Sequence, residues 1–269
     1  MDLANYRQNK PIKALVIGDS GSGKTGALAS SANAGYKLRV LDYDNGMESL
    51  AMYTKPEAKA NVKFETLTDA FKLVGGVIVP VGQPTAFSRG LSLLDKWKTP
   101  SDDLGPVASW GQEEILVIDS LTFMSRAAMQ RVLSLVGRSG EQPQIQDWGR
   151  AMDDIESTLG LLYSDTIKCN VLILSHITYI GDETALVKGY PNTLGNKLPP
   201  KVGRYFNYIL HVKSKGQGAN ARRVILTQPE SNIDVKCCIP GLARELPLES
   251  GLADFFAAAS GAKPQKDKP

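Results

Sequence analysis

The sequence predicts an α/β fold: a mainly parallel, twisted sheet flanked by helices and completed by antiparallel hairpins near the C-terminus. Three observations carry this. The apolar run Ala14-Leu15-Val16-Ile17 passes directly into Gly18-Asp19-Ser20-Gly21-Ser22-Gly23-Lys24-Thr25 and then into residues that start a helix. Further runs rich in apolar residues, Leu38-Arg39-Val40-Leu41, Ile115-Leu116-Val117-Ile118 and Val171-Leu172-Ile173-Leu174, read as strands buried on both faces. From Tyr205 onward, short extended segments are separated by turns bearing Gly or Pro, the pattern of hairpins.

At 269 residues the chain is long enough for a sizeable core. A hydrophobic share of 42% and a charged share of 22% are ordinary for a globular protein, and a net charge of +3 means that any polyanion-binding surface must be local. No apolar run approaches the ~20 residues that cross a bilayer, and Met1 to Arg7 lacks a secretory hydrophobic region, so a cytoplasmic location is expected. Cys169, Cys237 and Cys238 form neither metal-ligand spacing nor a disulfide framework and read as reduced packing residues.

In chain order, residues 1–11 form a polar arm ending at Pro11, and residues 12–250 form the core. Gly18 to Thr25 is a complete phosphate-binding loop: its glycines let successive N–H groups converge on phosphate oxygens, Lys24 adds charge for the β- and γ-phosphates, and Thr25 offers a hydroxyl to Mg²⁺. The strand Leu38–Leu41 ends in Asp42-Tyr43-Asp44. Carboxylates there face the ligand crevice of an open sheet, so Asp44 can polarise a water near the γ-phosphate. Alternatively, both acids cap the next helix, Met47 to Tyr53.

Residues 54–113 are the least legible. Val62 to Thr66 and Val77 to Val79 read as short strands, Ala86 to Trp97 as a helix, and Lys98 to Trp110 as a surface loop rich in Pro, Ser, Asp and Gly. Ile115 to Ile118 then ends in Asp119-Ser120, and a carboxylate at a strand tip downstream of an intact phosphate loop is the expected metal-side acid.

Leu121, Met124, Ala128, Val132 and Leu135 recur at helical spacing, with Arg126 roughly opposite and Arg131 and Arg138 towards the flank. After a polar loop, Asp147 can cap a helix that buries Met152, Ile155, Leu159 and Leu162. The next strand ends at Ser175, and His176 at its tip can sense a γ-phosphate or serve as a structural histidine. Ile177 to Gly203 reads as a long irregular basic segment with Lys188, Lys197, Lys201 and Arg204, within which Thr184 to Lys188 can pair as a strand. Such a segment suits a phosphate-backbone contact or a solvated loop.

The remaining expected elements are strands over Tyr205 to Val212, Arg222 to Gln228 and Ile233 to Ile239, with a hairpin tip at Gly216 to Asn220. Leu252, Phe255, Phe256 and Ala259 then make a short amphipathic helix within 251–260, ahead of a polar tail over 261–269 expected to be disordered.

Taken in order, these features resemble the RecA-like P-loop NTPase core. More narrowly, Gln146-Asp147-Trp148-Gly149, Ser175-His176 and Leu226-Thr227-Gln228-Pro229 look like the short phage-encoded RecA-like proteins of single-strand annealing and recombination. The resemblance covers about Lys13 to Gly241, most weakly over 54–113. It implies a DNA-dependent ATPase that binds ATP and Mg²⁺ between subunits, assembles as an oligomer on single-stranded DNA and promotes annealing or strand exchange. Single-stranded DNA, further copies of the chain and a single-strand-binding protein are the implied partners.

Carried over, Lys24 and Thr25 hold phosphate and metal, Asp119 supports the metal, Asp44 stands for a water-activating glutamate, and His176 stands for the γ-phosphate sensor. The DNA-contact loops become Ser125 to Gln146 and Ile177 to Gly203. Asp44 is one methylene shorter than glutamate, which implies turnover that is slow or that needs a second water. Cys237 and Cys238 stand where relatives carry an arginine, so a trans-acting cation falls to Lys236, Lys213 or Lys215, or is absent. Phe256-Ala257-Ala258-Ala259 looks like a Phe-x-x-Ala assembly motif, with packing on the chain's own core as the alternative. The competing functions are a motor or helicase-loader ATPase and a nucleotide-gated annealing module of little turnover.

Overall fold

Every residue of Lys13–Ile17 (β1) is buried, because the strand runs through the middle of a sheet with a parallel neighbour on each side. The structure, a computed structural model, describes residues 10–181, 187–216, 218–230 and 232–261. Most of the predicted arm and the predicted tail lie outside the described residues.

Beyond β1 come α1 (Lys24–Asn33), β2 (Lys37–Asp42), α2 (Met47–Tyr53) and β3 (Val62–Thr66), all where the sequence pattern places them. The predicted strand around Val77 is half of a hairpin, β4 (Phe71–Val74) and β5 (Val77–Pro80), turned at Gly75-Gly76 where both residues have positive φ. After α3 (Ala86–Asp95), a small hairpin of β6 (Trp97–Lys98) and β7 (Asp103–Gly105) corrects the expectation of a plain surface loop. Trp97, Val107 and Trp110 are buried, and the Trp110 indole donates to the Leu104 carbonyl, so apolar anchors tie this polar stretch down.

β8 (Glu114–Asp119) leads into α4 (Leu121–Leu135), α5 (Ile145–Tyr163) and β9 (Asn170–Ser175). Helix α4 buries Leu121, Met124, Ala128 and Val132 as its periodicity predicts, but Leu135, in the last turn, is 61% exposed. Helix α5 begins before Asp147: Gln144 is the N-cap, and Asp147 completes a capping box from the third position.

In its described part, the predicted irregular segment Ile177 to Gly203 contains a hairpin, β10 (Ile177–Ile180) with β11 (Lys188–Pro191), and a helical turn, α6 (Pro199–Val202). Most of the predicted strand Thr184 to Lys188 falls on residues 182–186, outside the described residues. The chain closes with β12 (Tyr208–Lys215), β13 (Arg222–Leu226), β14 (Glu245–Pro247) and α7 (Gly251–Ala259). The predicted strand Ile233 to Ile239 reduces to isolated bridges, because β14 takes the place beside β13 while Ile233 and Val235 turn inward as single anchors.

The main sheet has the order β14-β13-β12-β1-β9-β8-β2-β3; the run from β12 to β3 is parallel, and β13 and β14 are antiparallel. This is the mainly parallel, helix-flanked sheet with C-terminal hairpins that the sequence predicts. One face packs on α1, α2 and α7, the other on α3, α4 and α5. No helix among the described residues is long and apolar enough to cross a membrane.

Phe255 and Phe256 are fully buried and Ala259 nearly so, with Phe256 against Tyr36 and Phe255 against Tyr208. The Phe-x-x-Ala segment is therefore committed to the chain's own core, which corrects its reading as an assembly motif. Phe256→Ala is expected to cost about 3–5 kcal/mol of stability through the cavity it leaves. Urea denaturation checks this, and a loss below about 1 kcal/mol contradicts the burial.

Candidate functional site

The phosphate loop joins β1 to α1. Gly23, at the cap of α1, has a φ of 101°, which glycine adopts without strain, and no side chain caps the helix. The first N–H groups of α1 are thus left for an anion. A Cβ at Gly18 would collide with the Val212 carbonyl oxygen of β12, so close packing also requires glycine there. Lys24 is 6% exposed and donates from Nζ to the Gly18 and Asp19 carbonyls, at 2.9 Å each. Burial lowers its pKa, while Asp119, Asp44 and Asp19 oppose that shift.

Strand order sets the second part of the site. β9 lies between β1 and β8, so the tips of β1 and β8 stand roughly 10 Å apart. Thr25, in the first turn of α1, spans that gap by donating from Oγ1 to Asp119 Oδ2 at 2.7 Å. Asp119 is 1% exposed, and its Oδ1 has no hydrogen-bond partner. Burial pushes its carboxyl up to about 7, against the Thr25 hydrogen bond, and the neighbouring Asp44 and Asp42 add to the rise.

An orphaned buried carboxylate oxygen beside a hydroxyl fits a hard divalent cation completed by phosphate and water oxygens. No cluster of three or more His, Cys, Asp or Glu side chains suited to a metal occurs among the described residues. Thr25 and Asp119 would hold Mg²⁺, and Lys24 with the α1 N-terminus would hold the phosphates of ATP.

The geometry separates the two acids after β2. Asp42 accepts from the Gly46 N–H at 3.1 Å and the Thr66 hydroxyl at 3.3 Å, so it fixes the turn into α2. Asp44 points to the strand tips: it accepts from the Ser120 hydroxyl at 2.7 Å, and its own N–H donates to the Asp119 carbonyl at 3.1 Å. The Asp119–Ser120 peptide is cis.

His176 sits at the tip of β9, between the phosphate loop and Asp119 in strand order. Burial, and then the Lys24 charge, lower its pKa, so its imidazole is neutral at pH 7. Its ring packs edge-on to Phe123 at 6.1 Å. Its backbone belongs to a latch: the His176 N–H donates to Thr122 Oγ1 at 3.1 Å, Thr122 Oγ1 donates to the Asn192 carbonyl at 3.1 Å, and the Asn192 N–H returns to the His176 carbonyl at 2.8 Å. The start of α4, the tip of β9 and the base of the β10–β11 hairpin are thereby fastened at one point.

Beside the phosphate loop lies a cleft of about 800 Å³, bordered by Gly26 and Ser30 of α1, Tyr53, Arg223 and Leu248. A Cβ at Gly23 would touch Arg223 and Leu248, and one at Gly26 would touch the Tyr53 ring. The cleft therefore opens from the loop, and its size and mixed lining suit a nucleoside. Sequence reasoning missed Tyr53, Arg223 and Leu248, which reach the cleft from three separate parts of the chain; the Tyr at the end of α2 was the only local signal.

The predicted cations are placed as follows. Arg126 is exposed, its guanidinium 5.6 Å from the Phe123 ring centroid, and Lys197 is exposed. Arg131 pairs with Asp154 at 2.9 Å, Arg138 with the buried Asp147 at 2.5 Å, and Lys188 with Asp234 at 2.7 Å. Lys201 and Arg204 share Glu156 at 3.2 and 3.3 Å. Of the candidate trans-acting cations, Lys236 donates to the Phe206 carbonyl at 2.8 Å, before β12 begins and away from the loop of its own chain. Lys213 and Lys215 pair with Glu230, and Lys215 also with Glu245.

A phosphate loop capped by glycine, a Thr–Asp pair two strands apart and a polar strand tip between them define a P-loop ATPase domain built on a mainly parallel sheet. The chain belongs to the AAA domain family, whose sequence profile matches residues 10–237. No curated protein matches it in sequence. Among solved structures it is similar to the flagellar accessory protein FlaH of Methanocaldococcus jannaschii, at 8% identity and a TM-score of 0.43 over 91% of this chain and 89% of that one. A KaiC-like protein of Pyrococcus horikoshii gives 8% identity and a TM-score of 0.42 over 89% of this chain and 92% of that one.

Proposed function

We propose that this chain is an ATP- and Mg²⁺-dependent protein of recombination that binds single-stranded DNA, assembles as an oligomer with nucleotide between subunits, and promotes annealing or strand exchange in the cytoplasm. The observation that carries the reading is the latch at His176. The residue best placed to sense a γ-phosphate is fastened to both ends of the β10–β11 hairpin. Phosphate occupancy at Lys24 then has a physical route to a partly exposed hairpin, which is what a nucleotide-gated contact requires. Arg126, Lys197 and the cations around Glu156 supply the charge near that segment.

One observation favours a low-turnover form of the same reading. Asp44, already one methylene short, accepts a hydrogen bond from Ser120, so it is a weaker water activator than a free carboxylate. ATP then serves chiefly to stabilise the assembled form.

The test is ATP hydrolysis without DNA, with single-stranded DNA and with duplex DNA, at low and moderate salt. Stimulation of roughly tenfold by single strands alone is expected, falling steeply with salt as backbone contacts require. Stimulation by duplex alone replaces this reading with a motor, and salt-sensitive binding without stimulation selects the low-turnover form. No binding of single strands with or without ATP overturns it.

A further inference from the structure

The β4–β5 hairpin exposes Phe71, Leu73, Val74, Val77, Ile78 and Val81, each more than half accessible. Its base is fixed: the Val81 N–H donates to the Ala70 carbonyl at 2.8 Å, and Val79 lies against Gly140. Leu73 and Ile78 are cross-strand partners near the tip. This is an ordered apolar projection, and such surface on a globular protein marks an interaction site.

The same chain carries a recess to match. Met47, Leu50, Ala51, Val62 and Phe64, with Thr54 and Lys59, line a groove of about 170 Å³ between α2 and β3. β3 is the last strand of the main sheet, and its outer edge faces no strand among the described residues. An unpaired edge accepts an added strand. Projection and recess do not meet within one chain: the groove lies on the sheet face that packs on α1, α2 and α7, whereas the hairpin lies near the loop after α4 on the opposite side.

We infer that the β4–β5 tip of one copy, led by Leu73 and Ile78, seats in the α2–β3 groove of a second copy and runs along the outer edge of its β3. The occupant is another copy because both halves of the contact are on this chain and both are apolar. Lys72 is the one charge between Ala70 and Thr85, too little for a nucleic-acid backbone. The contact is head-to-tail, so it closes into a ring or continues as a filament. The inference rests on the self-assembly in the proposal above and deepens it by naming the surface.

Sedimentation velocity over a concentration series, with ATP and Mg²⁺, tests it. The wild-type chain is expected to grow beyond a dimer. Leu73→Asp/Ile78→Asp, and separately Ala51→Arg/Phe64→Glu, are each expected to weaken assembly at least tenfold. Mixing the two variants is expected to give one-to-one dimers and nothing larger, because each keeps the half the other lacks. All four positions are exposed or half-exposed, and an unchanged far-ultraviolet circular dichroism spectrum shows that the variants fold; Leu73→Ser/Ile78→Ser is the milder substitute. A wild-type chain that stays monomeric overturns the assembly part of the proposed function together with this inference. Wild-type assembly matched by both variants, or variants that fail to pair on mixing, overturns this inference alone.

Discussion

Lys24→Ala is expected to lower ATP hydrolysis by about 10²–10³-fold, equivalent to roughly 3–4 kcal/mol of lost transition-state stabilisation, while leaving the fold in place. Lys24 is the buried cation of the loop, and its ammonium rests on the Gly18 and Asp19 carbonyls at 2.9 Å, ready to exchange them for phosphate oxygens. No side chain at this position in the variant can follow charge onto the transferring group. Stability should change little, since the variant loses two hydrogen bonds but is also relieved of a buried charge whose pKa burial already depresses. Urea denaturation and a steady-state hydrolysis assay measure the two effects separately. Hydrolysis within fivefold of wild type would sink the assignment of the loop as the catalytic cradle.

The second large effect pairs loss of function with gain of stability. Asp119→Asn is expected to abolish most hydrolysis, because Thr25 loses its carboxylate partner and any Mg²⁺ loses the buried carboxylate beside Thr25. The same change should stabilise the nucleotide-free protein at pH 8 by on the order of 1–4 kcal/mol, the upper figure being the full linkage of a carboxyl raised to about 7. The sign follows from proton occupancy. The unfolded carboxyl titrates near 3.9, below its folded value, so between the two the folded chain keeps a proton that the unfolded chain has released. Stability therefore falls as pH rises through that window, and the penalty is complete above it. Asparagine carries no such penalty, so the two proteins should match at pH 4 and diverge towards pH 8. Urea titrations at those pH values decide it, and equal stability at pH 8 would remove the case for Asp119 as a charge awaiting a cation.

Much of this site is legible in the sequence because it is local. Gly18 to Thr25 is one continuous stretch, and Asp119 and His176 each end an apolar run whose burial on both faces is written in its composition. What the sequence leaves open depends on residues far away in the chain. Asp42 and Asp44 are alike in pattern; Thr66 and Gly46 engage the first, and Ser120 engages the second. The ion pairs of Arg131, Arg138, Lys188, Lys201 and Arg204 likewise form with carboxylates that periodicity does not place beside them. β14 escapes notice because three residues bounded by turns give no alternation to read, although its backbone completes the edge beside β13.

The latch at His176 has a thermodynamic consequence that runs in both directions. The Asn192 N–H and the Thr122 hydroxyl close the β10–β11 hairpin onto the strand tip beside Lys24, so the hairpin has no arrangement of its base independent of the tip. If nucleotide biases the hairpin by some factor in affinity for whatever it contacts, that contact must tighten nucleotide by the same factor. A ligand of the hairpin is then also an effector of the phosphate loop, and it can be found without assaying the hairpin at all, as a shift in the dissociation constant of ATP.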